Sequence, residues 1–302
     1  MGVLIVVPRA FKQFSEHPNL LPYEELLSIL LRSDDAPVPE IAGRKLIAGQ
    51  GLDDMQVSHA WYIGVSRGLI QEFSHWRAAR KVRYADRSLC HKQRPENILI
   101  SAPEKNADDS YTSELLLHER NELMLDHLTG QHIQGMVLAE ACRQMFLAVT
   151  EHYFLDDCPS SKRYFVINLM NVRYQSFAFP LPTQIHYRVI ERKQPKPDRI
   201  FIHADMDVHQ SGQPVAGMEV QFTVFDDGYL SKRESKLAAQ AVGNYVDFLR
   251  DELRKSAPDE IFQLSSLFAA SGASPNEAPR LVTSSADPIS EEVSPASVPL
   301  PQ

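Results

Sequence analysis

The chain has 302 residues, 43% of them hydrophobic and 23% charged, so it can form a packed core and is not disordered as a whole. Its net charge of -8 argues against a nucleic-acid interface, which needs a basic domain. Three cysteines are too few for a disulfide framework and fit a reducing compartment. No run is apolar enough to span a bilayer. The composition therefore predicts a cytoplasmic globular protein.

The first 85 residues are expected to form a mostly helical extension. The apolar run Val3–Val7 is typical of a short strand. After it, Tyr23–Leu31 and Asp53–Val82 carry apolar residues at helical spacing. No residue in this N-terminal extension, residues 1–85, points to chemistry rather than to packing.

Residues 86–230 follow a different pattern. A helix that is apolar nearly all round spans about 135–154, and a helix of this kind is buried. Four long alternating runs follow it, separated by turn-like segments rich in Pro and Gly. The runs are Tyr164–Tyr174, Gln184–Arg192, Arg199–His209 and Pro214–Phe225. This order predicts an α+β fold in which one long helix packs on an antiparallel sheet.

The C-terminal part divides into a helix and a tail. Residues 231–255 show an amphipathic helical pattern, with Ser231 as N-cap and Glu234 as its capping-box partner. Residues 256–302 become rich in Pro, Ser and Ala, with few aromatic residues. Such a segment cannot bury enough apolar surface to fold, so we predict that this tail is disordered.

Three polar residues stand out in the buried helix. Glu140, Arg143 and Gln144 share one face at spacings of three and four residues. Burying a charge costs several kcal/mol (roughly) unless it is paired or hydrogen-bonded. Two interpretations stay open. Glu140 and Arg143 either satisfy each other at the edge of the helix, or they are placed at a substrate pocket.

The approach to this helix carries a second group of candidates. Asp126, His127 and His132 lie within seven residues, and Gly135 opens the helix. The N–H groups of a helix N-terminus can polarise the carbonyl of a thioester, and a nearby His can act as acid or base. The alternative is that Asp126 and one His cap the helix and order the loop.

Metal chemistry is not expected. His118, His127 and His132 are nine and five residues apart, which matches neither HExxH nor a paired-cysteine site. No phosphate-binding glycine loop and no nucleophile elbow is present. Cys142 lies in the buried helix and is expected to be an inert core thiol.

The stretch DHLTGQHIQGMVLAEACRQ resembles the signature of the A-factor biosynthesis (AfsA) hotdog domain. The residues that match are Asp126, His127, His132, Gln134, Gly135, Met136, Glu140, Ala141, Arg143 and Gln144. Upstream, His91 and Lys92 resemble the opening of that domain. The resemblance covers about residues 88–230. It implies a hotdog fold, in which an antiparallel sheet wraps a long central helix.

The resemblance also implies a reaction. Such enzymes move a β-ketoacyl group from a carrier-protein or CoA thioester to a small hydroxylated acceptor such as dihydroxyacetone phosphate. This step serves γ-butyrolactone signal or secondary-metabolite biosynthesis. The catalytic residues would be Glu140, Arg143, His127, His132 and Asp126, and the substrate-binding residues Gly135, Met136 and Gln144. No cofactor is implied beyond the phosphopantetheine that carries the acyl group.

Two other functions stay open. One is a hotdog dehydratase or thioesterase, which needs no acceptor. The other is a protein that binds an acyl ligand without catalysis. Typical members carry two hotdog repeats, whereas this sequence shows one, so we expect a homodimer with pockets near its interface. A basic stretch in residues 77–87 would suit an acidic carrier protein, or it is simply a solvated helix face.

Overall fold

The computed structural model describes residues 2–33, 37–78, 83–125, 130–155, 163–196 and 199–255. The chain divides into two units, one ending at Asp226 and the other beginning at Asp227. The tail predicted to be disordered, residues 256–302, lies outside the described residues.

The first unit begins with a three-stranded parallel sheet. Strand β1 (Gly2–Val7) lies between β2 (Leu20–Pro22) and β3 (Arg44–Ala48). Helix α1 (Tyr23–Leu30) follows β2, and helix α2 (Asp54–Ser66) follows β3. The expectation of one strand followed by helices is therefore corrected. Runs of three and five residues are too short for periodicity to separate a strand from a helix.

Helix α2 begins at a capping box. The Asp53 carboxylate accepts from the backbone N–H of Gln56 (2.7 Å), and the Gln56 side-chain oxygen accepts from the Asp53 N–H (2.8 Å). The helix stops at Ser66, well short of the predicted end at Val82, because the chain turns at Gly68 with φ of 77°.

Four 3₁₀ turns are found among the described residues: Arg9–Phe11, Phe14–Glu16, Glu72–His75 and Pro95–Asn97. The third carries Phe73, which packs against the indole of Trp76. The fourth precedes the segment that covers the long central helix.

A six-stranded antiparallel sheet forms the larger part of the first unit. Its strands are β4 (Glu104–Lys105), β5 (Tyr111–Glu114), β6 (Arg163–Tyr174), β7 (Thr183–Lys196), β8 (Arg199–Gln210) and β9 (Gln213–Asp226). Their spatial order is β4–β5–β7–β8–β9–β6, so β6 crosses to the far edge beside β9. Side chains in the first half of β7 alternate between buried and exposed, as its sequence predicts. A simple meander of the four predicted runs would pair β6 with β7. Strands β7, β8 and β9 do follow one another as a meander, but β6 pairs with β9, so that expectation is corrected for β6.

Helix α3 (Gly135–Tyr153) is buried against this sheet on one side and against residues 97–99 on another. Phe146 stacks on Phe222 of β9 with ring centroids 4.6 Å apart. Each large side chain that α3 buries stabilises the fold by roughly 1.5–3 kcal/mol. An antiparallel sheet wrapped around one long helix is the hotdog arrangement, so the predicted fold class is confirmed.

One side chain joins the parallel sheet to the hotdog domain. The amide of Gln50 donates to the Leu115 carbonyl (2.8 Å) and accepts from the Leu117 N–H (3.0 Å). Next to it, the Glu119 N–H donates to the Gly51 carbonyl (3.0 Å). The Gln50 side chain therefore pairs with backbone groups of residues 115–117 in the way that a neighbouring strand would.

The second unit contains helix α4 (Asp227–Lys255). It begins four residues before the predicted N-cap at Ser231, so the predicted capping box does not start the helix. Ser231 instead lies inside α4, where its carbonyl accepts from the Ser235 hydroxyl (3.0 Å). The structure shows strand β9 ending at Asp226 and the helix starting at the next residue.

We expect Gln50→Ala to lower the free energy of unfolding by about 1–3 kcal/mol, because it leaves a backbone N–H and a carbonyl without their partner. Urea denaturation followed by circular dichroism measures this loss. Gln240→Ala, at an exposed position of α4, is the control and should change stability by less than about 0.5 kcal/mol. Equal effects of the two substitutions would show that Gln50 does not stabilise the contact between the parallel sheet and the hotdog domain.

Candidate functional site

The carboxylate of Glu140 is the centre of a polar network on α3. Its Oε2 accepts from Arg143 Nε (2.7 Å), and its Oε1 accepts from Arg143 Nη2 (2.9 Å). Oε1 also accepts from Gln144 Nε2 (3.0 Å) and lies 2.9 Å from Lys92 Nζ. The three residues that share one helix face in the sequence are thus in direct contact, and Lys92 joins them from outside the helix.

The surroundings of Glu140 decide its charge. Burial pushes its pKa upward, but the hydrogen bonds and charge of Arg143, with Gln144 and Lys92, outweigh burial and hold the pKa below its usual value. Glu140 is therefore ionised at neutral pH. Because both of its oxygens already accept hydrogen bonds, it is better placed to anchor two cations than to remove a proton.

Gln144 ties the network to the chain that covers α3. Its side chain is fully buried. Its Oε1 accepts from the Leu99 N–H (2.8 Å), and its Nε2 donates to the Asn97 carbonyl (2.8 Å) as well as to Glu140. Gln144 therefore holds residues 97–99 against the helix and orients the Glu140 carboxylate.

Lys92 is the network residue that local sequence patterns did not single out. It lies far from α3 in the chain, where helical periodicity gives no signal, and only the family resemblance drew attention to it. Its neighbour His91 has φ of 52° and contacts Glu151 through Nε2 (3.1 Å). The segment thus meets α3 at two carboxylates, Glu140 and Glu151.

Lys92 and Arg143 keep part of their charge accessible. Their side chains are 26% and 28% exposed, whereas Glu140 is 15% exposed. The surface above the network therefore presents two cations over one largely covered carboxylate. Such a surface suits an anionic group.

A cavity of about 520 Å³ lies at the N-terminal end of α3. His132, Gly135 and Leu138 line it from the helix side, and Tyr174 and Phe177 line it from the end of β6 and beyond. The N-cap residue of the helix, Gln134, makes no side-chain cap. Two residues of the first turn of α3, Gly135 and Leu138, thus lie at the cavity wall.

Gly135 lies against the Tyr174 ring at the cavity wall. A Cβ at this position would lie 2.9 Å from two ring atoms of Tyr174, closer than such contacts allow. His132 packs on Phe177 with ring centroids 4.8 Å apart. Met136, predicted to bind substrate, is 57% exposed and is not part of the cavity lining.

The structure separates the predicted site residues into two groups. Residues advance by about 100° around an α-helix, so Glu140 projects roughly 150° away from Gly135 and Leu138. The network and the cavity therefore lie on different sides of α3 within one chain. Asp126 and His127 lie outside the described residues.

The thiols near the site are not suited to nucleophilic attack. Burial raises the pKa of Cys142 to about 12, with a smaller contribution from Asp207, and burial also raises the pKa of Cys90 to about 12. The described residues contain no group of three His, Cys, Asp or Glu side chains that could hold a metal ion. In the same part of the chain, no helix is long and apolar enough to cross a membrane.

The basic stretch at residues 77–87 is only partly described. Arg77 donates to the Ser58 hydroxyl (3.0 Å), and the side chains of Arg83 and Arg87 are exposed. Arg80 and Lys81 lie outside the described residues.

Comparison with known proteins identifies the domain. The sequence pattern of the A-factor biosynthesis hotdog domain matches residues 74–226, which is about half of the chain. No curated protein matches.

Three solved structures with thioesterase titles are similar to part of the chain at low identity. A mutant thioesterase from Pseudomonas aeruginosa is 16% identical over 42% of this chain and 81% of its own, with a TM-score of 0.31. A putative thioesterase from Ralstonia eutropha, described as phenylacetic acid degradation-related, is 15% identical over 52% of this chain and 97% of its own (TM-score 0.30). A hypothetical thioesterase with coenzyme A from Streptococcus pneumoniae is 14% identical over 41% and 84% (TM-score 0.29).

We expect Glu140→Gln to make stability less sensitive to acid. The pKa of Glu140 is lower in the folded protein than in the unfolded chain. Its ionised carboxylate therefore stabilises the folded protein at any pH above the unfolded pKa. This stabilisation is lost as the pH falls through the folded pKa and the carboxylate is protonated. The substitution should cost about 1–3 kcal/mol at pH 7 and progressively less toward pH 3.

Urea denaturation across this pH range measures the effect, and Glu234→Gln at an exposed position of α4 is the control. A pH profile of Glu140→Gln that runs parallel to that of the unmodified protein would contradict the role of the network in stability.

Proposed function

Because the chain belongs to the A-factor biosynthesis hotdog domain family, we propose that it transfers an acyl group from a thioester to the hydroxyl of a small acceptor that carries an anionic group. The observation that carries this proposal is the pair of accessible cations, Lys92 and Arg143, held over Glu140. Transfer to water needs no such pair, whereas a phosphorylated acceptor such as dihydroxyacetone phosphate does. The acyl donor would be a carrier protein or CoA.

The N-terminus of α3 would bind the reacting carbonyl. The N–H groups of its first turn can donate to the thioester oxygen, where negative charge builds up during attack. Gly135 lines this cavity with the apolar residues Leu138 and Phe177, and these two side chains would contact the acyl chain. In this proposal the acyl group binds in the cavity, and the acceptor binds at the Glu140 network.

The chemical step needs a proton acceptor for the hydroxyl. An imidazole, either His132 at the cavity or His127 outside the described residues, would take that proton as the new C–O bond forms and the C–S bond breaks. The proton then passes to the leaving thiolate. Asp126 would orient a loop histidine, and Glu140 would position Arg143 and Lys92 rather than act as the base.

A second copy of the chain would complete the site. Strand β6 has β9 on one side and no other neighbour among the described strands, so its outer edge is open over twelve residues. Edge-to-edge pairing of two β6 strands would join the two sheets. A symmetric pair also offers a way to bring the network of one copy toward the cavity of the other, which α3 separates within a single chain.

Mass spectrometry with a β-ketoacyl carrier protein tests the reaction, with and without dihydroxyacetone phosphate. The proposal expects an ester product only when both substrates are present. Loss of the thioester without the acceptor would instead show hydrolysis, and loss of water from a β-hydroxyacyl thioester would show dehydration. A co-purified acyl ligand without turnover would show a binding protein.

We expect Lys92→Ala and Arg143→Ala each to lower kcat/KM for the acceptor at least tenfold, because each removes a charge-assisted hydrogen bond to its anionic group (about 1.5–3 kcal/mol). Steady-state kinetics at varied acceptor concentration measures this, with circular dichroism as the check on folding. Lys193→Ala, an exposed cation on β7, is the control. Unchanged kinetics in both variants would remove the cations from the mechanism.

We expect Ile167→Lys combined with Met170→Lys to halve the mass of the assembly, since charges on an edge strand block pairing. Both side chains are exposed on β6. Gln184→Lys, at an exposed site where β7 pairs with both β5 and β8, should leave the mass unchanged. Sedimentation velocity reads the mass, and an unchanged mass of the double variant would contradict pairing through β6.

A further inference from the structure

The chain reaches Lys92 through a short helical turn, residues 86–92, which we call the entry turn. It ends in a Schellman motif, in which two backbone hydrogen bonds close the last turn of a helix. The Lys92 N–H donates to the Arg87 carbonyl (2.9 Å), and the His91 N–H donates to the Ser88 carbonyl (3.3 Å). His91 therefore occupies the left-handed position of the motif, with φ of 52°.

The imidazole of His91 is not what the entry turn itself favours. Glycine is the usual residue at this position, because a side chain there strains the backbone. The contacts of the imidazole lie outside the turn. Its Nε2 is 3.1 Å from Glu151 Oε1 on α3, and because a carboxylate accepts hydrogen bonds, Nε2 is the donor. The ring also packs nearly perpendicular to that of Phe165 on β6, with centroids 5.2 Å apart. The end of the entry turn is thus held against α3 and β6.

The residue after His91 is the one that gains from a fixed backbone. Lysine has a flexible stem and loses rotamer entropy when its amine is held in one place. Lys92 Nζ nevertheless lies 2.9 Å from Glu140 Oε1, with the side chain 26% exposed. Glu140 and Glu151 are separated by roughly 16 Å along α3. His91 and Lys92 therefore extend from adjacent positions to two well-separated points of the same helix.

We propose that His91 is a positioning residue for Lys92 in the reaction proposed above, on which this inference rests. By holding the backbone beside Lys92, the contact between His91 and Glu151 keeps the Lys92 amine over Glu140, where it meets the anionic group of the acceptor. The imidazole acts through Lys92 and takes no proton from the substrate. Its removal should weaken acceptor binding without slowing the chemical step.

Steady-state kinetics of His91→Gly tests this role, because glycine keeps the backbone hydrogen bonds of the entry turn and removes only the imidazole. We expect KM for the acceptor to rise about fivefold with kcat nearly unchanged, the pattern of a lost binding interaction. Ser211→Gly is the matched control, since Ser211 has a similar φ of 51° in the turn between β8 and β9. An unchanged KM in His91→Gly overturns the proposal.

Variants of Glu151 test the same contact from the side of α3. Glu151→Ala should reproduce the rise in KM, whereas Glu151→Gln still accepts a hydrogen bond from the imidazole and should not. Circular dichroism checks the fold of each variant. Equal effects of the two substitutions would contradict the role of this hydrogen bond.

A double-mutant cycle shows whether the effect passes through Lys92. In a Lys92→Ala background, His91→Gly should cause no further rise in KM for the acceptor, because the group that it positions is absent. Equal rises with and without Lys92 would show that His91 acts elsewhere, and would overturn the proposal.

Chemical labelling reports the position of Lys92 without any turnover. Reductive methylation of the full-length protein, followed by peptide mass spectrometry, gives the labelling rate at each lysine. In His91→Gly the rate at Lys92 should rise at least about threefold, because an amine released from Glu140 extends into water. The rate at the exposed Lys193 should not change. Faster labelling of Lys92 in a protein that forms no ester would refute the proposed reaction and leave the positioning role standing. An unchanged rate at Lys92 contradicts the positioning role, whatever the kinetics show.

Discussion

A buried carboxylate is tolerated only where the fold supplies donors for it. Glu140 has four contacts from three residues, and two of those residues, Arg143 and Gln144, come from its own helix. The third, Lys92, has to be brought in by the chain that enters the domain. The Lys92–Glu140 contact and the two backbone hydrogen bonds of Gln144 together hold residues 92–99 against α3.

The hydrogen bonds to Glu140 also give two parts of α3 different roles. The donors that saturate Glu140 make it a weak proton acceptor, so its charge serves to hold two cations near the surface. The N-terminus of the same helix contributes a different kind of positive charge, that of backbone N–H groups without a side-chain cap. One helix thus provides two anion-attracting regions on different sides, and a reaction between two substrates can use both.

Local patterns were enough to predict α3, the long strands β6 to β9 and the shared face of Glu140, Arg143 and Gln144, because periodicity and i, i+3, i+4 spacing are local. The position of β6 beside β9 was not predicted, since strand order depends on tertiary packing. Lys92 could not be derived in this way, since its contact with Glu140 is set by tertiary packing. The same holds for Tyr174, whose ring lies where a side chain at Gly135 would project. Strands β2 and β3 were missed because they are short, and the start of α4 was misplaced because the helix begins directly after β9.

The open edge of β6 determines the kind of partner that the proposed pairing requires. It presents backbone donors and acceptors, which a strand satisfies and a helix face does not. Among the described strands β6 has a neighbour on one side only, so pairing of two copies would add hydrogen bonds that no described strand of the single chain supplies there. Because α3 separates the network from the cavity within one chain, the proposed reaction between two substrates depends on such a second copy.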